Sequence, residues 1–379
     1  MTLPAPEELS VTAALDELAL YLRPPGQGIH AVSTGKKALE EATRLYLGPT
    51  YDPERPWREH LNRLPELRDQ EAVALLGIPS DTGAGIVRGA ARGPEAIRAG
   101  LGQAPTYELG DVFCVPHFLD DEMLSEPQKE VSRAFLFPKL SEDDRRSLPV
   151  SPVGMAARAY RLALRINPAL RILALGGDHT VAWPVIDALL PAGGDHHDVG
   201  ILHFDAHTDL LETRLGVRYC FATWAYHANQ RIGRGGRLLQ LGVRASAKTQ
   251  AHWESTMDVR QVWPDEAQVL GPDGLAQLVV DHFRAKGVRR VYVSNDLDGT
   301  DVLYAAACGT PEPNGLSRAM VEACLTAVGA AGFRVIGADL VELAPGLSLD
   351  REASRRSVET AVRYVRAELS LLAASKSAP

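Results

Sequence analysis

Three short apolar runs in this chain break off into acids and imidazoles: LALGGDH at 173–179, GILHFDAHTD at 200–209 and VYVSNDLDGTD at 291–301. Such runs are those of strands buried on both faces of a parallel sheet. In open parallel sheets, ligands bind beyond the carboxyl ends of the strands. The acids and imidazoles should therefore converge on one edge of one sheet. AVALLGIP, TYELGDVF, RLLQLGVR, VRQVWP and RVIGADLVE bring the strand count to about eight. Helical stretches from Pro94, at 153–167 and near 274–286, 317–331 and 352–373 alternate with or follow these runs, which argues for right-handed crossovers and an α/β fold.

Asp205, His207 and Asp209 are spaced by two, and Asp296 and Asp298 repeat that spacing. Alternate residues of an extended strand share a face, so each set can point at one centre. Burying five such groups together without a cation would be very costly. Two divalent cations bridged by shared carboxylates would neutralise them. An oxygen-rich set with imidazole and no thiolate favours manganese over zinc or copper and leaves nickel, iron and cobalt open. The competing reading is a set of buried caps and salt bridges.

Composition narrows the rest. A net charge of −8 argues against a nucleic-acid surface, and no apolar run approaches the ~18 residues of a membrane span. The start, MTLPAPEELS, lacks the basic and apolar regions of a signal peptide, and Cys114, Cys220, Cys308 and Cys324 are scattered. A cytoplasmic setting is expected. Residues 1–70 read as a helical extension, with helices at 11–22 and 36–47 and no chemistry. Residues 71–379 read as one α/β domain, with an acidic surface insertion near 115–150.

GGDHT, DAHTD and SNDLDGTD, in that order, resemble the signature blocks of the ureohydrolase family. The likeness covers roughly 70–370 and extends to GIPSDTGAGIVRGAARGPEAIR, CGTPEPNGLS and DLVELAP. It implies a three-layer α/β/α sandwich around a parallel sheet of about eight strands. It also implies a binuclear centre of two Mn2+, with Ni2+ the alternative. The first metal would take His179, Asp205, Asp209 and Asp296; the second His207, Asp205, Asp296 and Asp298. A bridging hydroxide would attack the carbon of a guanidino compound, releasing urea and an amine or ammonia. Agmatine, guanidinobutyrate, another short guanidino compound or free guanidine would be the substrate. Asp298 would handle the proton, Glu342 would pair with the guanidinium and Thr310 would contact the substrate. Asp178 and Asp301 read as supports rather than ligands. A homo-oligomer, trimer or hexamer, is implied.

The pattern breaks after DAHTD. The family carries a proton-shuttling histidine ten to thirteen residues on, where this chain has Cys220 or Phe221. Three readings stand: His227 swings in from the following helix, the shuttle is dispensable, or catalysis is impaired. Phe221 and Trp224 are either core packing or an aromatic wall for a compact guanidinium. The alternatives to a guanidino hydrolase are a formimino or amidine hydrolase and a metal-binding but inactive homologue acting as a regulatory subunit.

Overall fold

The computed structural model describes residues 3–30, 55–68, 70–84, 88–102, 106–348 and 350–375. The helix expected at 36–47 lies outside the described residues. Among the described residues nine strands are present: β1 (Leu22–Arg23), β2 (Val73–Ile78), β3 (Tyr107–Val112), β4 (Arg171–Gly176), β5 (Val199–Phe204), β6 (Leu238–Leu241), β7 (Arg260–Val262), β8 (Arg290–Asp296) and β9 (Arg334–Val341). They form one sheet in the order β1-β3-β2-β4-β9-β8-β5-β6-β7. From β3 to β7 every pairing is parallel.

β4 and β5 are buried at all six positions. Helices on both faces explain this. Helices 152–166, 182–189 and 224–231 contribute to one apolar cluster, and helices 93–101, 264–285, 318–330 and 351–374 to the other. The expected three layers are therefore present. Helix 264–285 starts earlier than the sequence suggested, because Gly271 (φ 64°) and Pro272 break it and hide its first turns from a periodicity reading.

The antiparallel β1 was not anticipated. It pairs Leu22 with Val112 of β3, and two residues before Pro24-Pro25 carry no alternation to read. Ala14, Leu18 and Tyr21 of helix 11–21 join the first core, and Arg158 grips Glu17 through two bonds of 2.6 and 2.7 Å. Segment 115–150 likewise does more than cover surface. Its acids are exposed apart from buried Asp120 and half-buried Asp121, and Leu136, Phe137, Leu148 and Val150 sit in the same core. No described helix is long and apolar enough to cross a membrane.

Successive strands β4 and β5 are separated in the sheet by β9 and β8. That reversal opens a crevice at the carboxyl ends of four adjacent strands, the place where such sheets bind ligands.

Candidate metal centre

Each of those four strands delivers its chemistry at or just past its last residue. β4 turns through Gly177-Asp178 into a short 3-10 turn that starts at His179. β5 ends at Phe204, and Asp205 follows. β8 ends on Asp296, whose carboxylate accepts the Asp298 N–H at 2.8 Å and caps the next turn. β9 ends at Val341, and Glu342 follows with φ 66°.

The side chains meet around two imidazole nitrogens. His179 Nδ1 lies 3.2 Å from Asp205 Oδ2, 3.2 Å from Asp209 Oδ2 and 3.0 Å from Asp296 Oδ2. His207 Nδ1 lies 3.4 Å from Asp205 Oδ1 and 3.0 Å from Asp298 Oδ2. Asp205 thus turns one oxygen toward each histidine. The six residues expected to hold metal are brought together, but the strand argument explains only part of it. β5 is over before Asp205, and Asp209 reaches the centre by a left-handed turn (φ 51°) rather than by alternation.

Alternation instead identifies two residues that the sequence reading missed. One step back from Asp205 on the same face is His203, whose Nε2 lies 2.8 Å from Asp205 Oδ2. One step back from Asp296 is Ser294, whose hydroxyl is 2.9 Å from His179 Nε2. Ser294 in turn donates to Asp339 Oδ1 at 2.9 Å, and Tyr292 donates to the other oxygen of Asp339. The signal was the period of two, read forward from Asp205 and Asp296 but not backward.

Asp178 accepts from Ser80 Oγ at 2.7 Å and from Thr82 N and Oγ1 at 2.5 and 2.6 Å. It therefore ties the first glycine-rich loop to the His179 turn. Asp301 accepts from the N–H groups of Leu303 and Gly315, at 2.9 Å each, and shapes the loop that carries Thr310. The Thr310 hydroxyl donates to Asp298 Oδ2 at 2.9 Å. Glu342 is 3% exposed, and its Oε1 accepts the His179 N–H at 2.8 Å.

The stretch after Asp209 does not supply what was expected of it. Trp224 is fully buried and cannot be a wall facing a substrate. Its indole N–H donates to Asp209 Oδ2 at 2.8 Å, and its ring packs 4.7 Å from both His179 and His203. Phe221, half-buried, lies under the Arg214 guanidinium at 5.3 Å. His227 does not join the cluster. Its Nε2 is 3.1 Å from the Glu212 carbonyl and 3.0 Å from that of Arg218, so it donates to the loop backbone. Trp183 and Tyr219 flank its ring at 5.4 and 5.0 Å. Cys220 is buried, and burial pushes its thiol up.

The electrostatics say what the cluster lacks. Burial disfavours charge on His179, but the carboxylates around it outweigh this and raise it well above the ordinary imidazole value. Asp209, Asp296 and Glu342 are raised by burial and then by one another's neighbours: Asp205 beside Asp209, Asp298 beside Asp296, and Asp296 beside Glu342. Asp205 is pulled the other way: the three histidines against it outweigh its burial. The His179 Nδ1 atom is buried without a properly formed hydrogen bond, despite three carboxylate oxygens around it. A lone pair ringed by acid oxygens fits a divalent cation.

Comparison with known proteins agrees with this geometry. The arginase family profile matches residues 71–368. The mitochondrial guanidino acid hydrolase of Homo sapiens is 28% identical over 296 residues, 76% of this chain and 76% of that protein. The N(1)-aminopropylagmatine ureohydrolase of Thermus thermophilus is 32% identical over 286 residues, 73% of this chain and 84% of that protein. The structure of proclavaminate amidino hydrolase from Streptomyces clavuligerus matches with a TM-score of 0.58 at 25% identity, over 79% of this chain and 92% of that one.

Proposed function

This chain belongs to the arginase family, and from that premise we propose that it hydrolyses a C–N bond of a short guanidino compound to give urea and an amine or ammonia. The family generally holds a binuclear metal centre, and the His/Asp cluster is of the type that does so. His179, Asp205, Asp209 and Asp296 would hold one cation, and His207, Asp205, Asp296 and Asp298 the other. Mn2+ suits this donor set, with Ni2+ the alternative. When bound, such a pair supplies Lewis acidity and makes water acidic enough to lose a proton near neutral pH. The observation that carries the reading is the division of Asp205, with Oδ2 toward His179 and Oδ1 toward His207.

The chain's own side chains do the remaining work. Asp298 takes the proton of the attacking water and returns it to the leaving nitrogen; the Thr310 hydroxyl on its Oδ2 keeps that carboxylate aimed inward. Glu342 binds the guanidinium, the planar fork that best matches a carboxylate. With His227 committed to backbone carbonyls, proton transfer rests on Asp298.

A urea-release screen over guanidine, agmatine, guanidinobutyrate, guanidinopropionate and arginine, with Mn2+ and with Ni2+, tests the activity. Glu342→Gln tests the binding role, because glutamine keeps the acceptor for the His179 N–H and removes only the charge. Turnover should fall at least ~100-fold with metal content unchanged. A lower melting temperature with near-normal kinetics would make Glu342 a structural cap and nothing more.

A further inference from the structure

We infer that a one-way chain of hydrogen bonds, from Trp263 through Gln261 and Gln240 to His203, fixes the His203 proton on Nε2 and thereby positions Asp205 for the metals. The inference rests on the metal-binding reading above.

The chain crosses the sheet one strand at a time. His203 of β5 is the register partner of Gln240 in β6, and Gln240 is the partner of Gln261 in β7. All three are fully buried. Trp263, half-buried just past β7, begins the chain. An indole N–H can only donate. The Gln261 atom 2.9 Å from Trp263 Nε1 must therefore be the oxygen, Oε1. That leaves Gln261 Nε2 to donate to Gln240 Oε1, also at 2.9 Å.

Gln240 then has only its nitrogen left to offer. Nε2 faces the Thr208 carbonyl at 2.7 Å and His203 Nδ1 at 2.9 Å. A carbonyl can only accept, so the far end of the chain demands the same amide orientation as the indole end. Two independent anchors thus agree on the direction, without reliance on which amide atom was called oxygen. His203 Nδ1 must carry the lone pair. Its ring proton sits on Nε2, 2.8 Å from Asp205 Oδ2.

Two consequences follow. His203 is close enough to His179, Asp205 and Asp209 to be mistaken for a ligand, with donor atoms all within 4.8 Å of one another. Its Nε2 is occupied by the proton, so it is a positioning residue for Asp205 and not a ligand. Gln240 also grips the backbone of Thr208, inside DAHTD, so one amide orients both the bridging carboxylate and the loop that carries His207 and Asp209. An apolar ladder could fill the same space with no polar groups to satisfy. A buried glutamine pair that is satisfied end to end is explained by what it aims.

Neutron diffraction from crystals of the full-length protein, before and after Mn2+ loading, tests the proton directly. Deuterium is expected on His203 Nε2 and absent from Nδ1 in both. Deuterium on Nδ1, or a metal at Nε2, would overturn the inference. Gln240→Glu provides the second arm, since a carboxylate of nearly the same shape can donate to neither Nδ1 nor the Thr208 carbonyl. Mn2+ affinity by equilibrium dialysis should fall about 10–100-fold. Gln261→Glu, one step further away, should give a smaller fall in the same direction. A folded Gln240→Glu protein with Mn2+ affinity within about twofold of the native chain overturns the positioning role. If that variant does not fold, the native neutron map still decides the proton. A native chain that binds no Mn2+ sinks the metal reading but leaves the proton position to be read.

Discussion

The two sides of Asp209 place histidines in opposite surroundings. Before it, His179, His203 and His207 face carboxylates, and the acids outweigh burial enough to hold His179 and His207 above the usual imidazole value. After it, His227 faces two carbonyls and three aromatic rings, those of Trp183, Tyr219 and Tyr226, and burial pushes it below that value. The first surroundings create a demand for cations. The second consume a histidine's only donor in closing a loop. Residue type alone, therefore, does not mark a catalytic histidine; what its nitrogens already touch does.

The sharpest way to break this comparison is to remove its centre. Asp205→Ala withdraws the carboxylate that His179, His203 and His207 all approach. Turnover should fall by at least ~1,000-fold, about 4 kcal/mol, and metal analysis should fall from about two cations per chain to less than one. Retention of both cations would mean that Asp205 does not bridge.

A smaller effect separates packing from donation on the far side. Trp224→Phe keeps the ring against His179 and His203 but deletes the N–H bonded to Asp209 Oδ2. Mn2+ affinity should drop about 10-fold with little change in melting temperature. If instead affinity is unchanged and the fold is weakened, Trp224 serves the core alone.

The smallest effect belongs to His227. His227→Gln retains a donor for the carbonyls of Glu212 and Arg218. Turnover should change by less than about threefold; a loss of roughly 10²-fold would restore His227 as a proton shuttle. Its pH signature has a definite sign. The folded ring is neutral and its pKa depressed, so the unfolded chain takes up the proton first as pH falls below about 6.5. Stability should decline on acidification from pH 7 to 5, and the variant should decline less. Parallel melting curves across that window would contradict the half-buried, neutral state.

The contrast also shows what could be read from the residues alone. All eight parallel strands were legible, because burial on both faces leaves short apolar runs, as in β4 and β5, and turn residues bound the others. The candidate ligands were legible because a period of two survives the end of a strand for a residue or so, as at Asp205. Beyond that the backbone bends. Asp209 and Glu342 reach the centre through positive φ, which no alternation predicts. β1 was too short to show a pattern, and Trp224 stayed open between core packing and a substrate wall because its partner, Asp209, fifteen residues away, comes near only when the loop closes. His203 and Ser294 were readable and overlooked.

One last consequence comes from the position of β9. It is the final strand in the chain and yet lies at the middle of the sheet, between β4 and β8. The bond from His179 N to Glu342 spans 163 residues. Contacts that close so long a loop form late, because the chain must be ordered before they reward it. The Glu342 contact to His179 cannot form until that strand lies between β4 and β8. Cation uptake during refolding should therefore lag behind the recovery of helical signal, and a chain arrested on the ribosome before residue 334 should take up none in the two-cation mode. Stopped-flow refolding followed by both signals would show whether the last strand is the lock on the site.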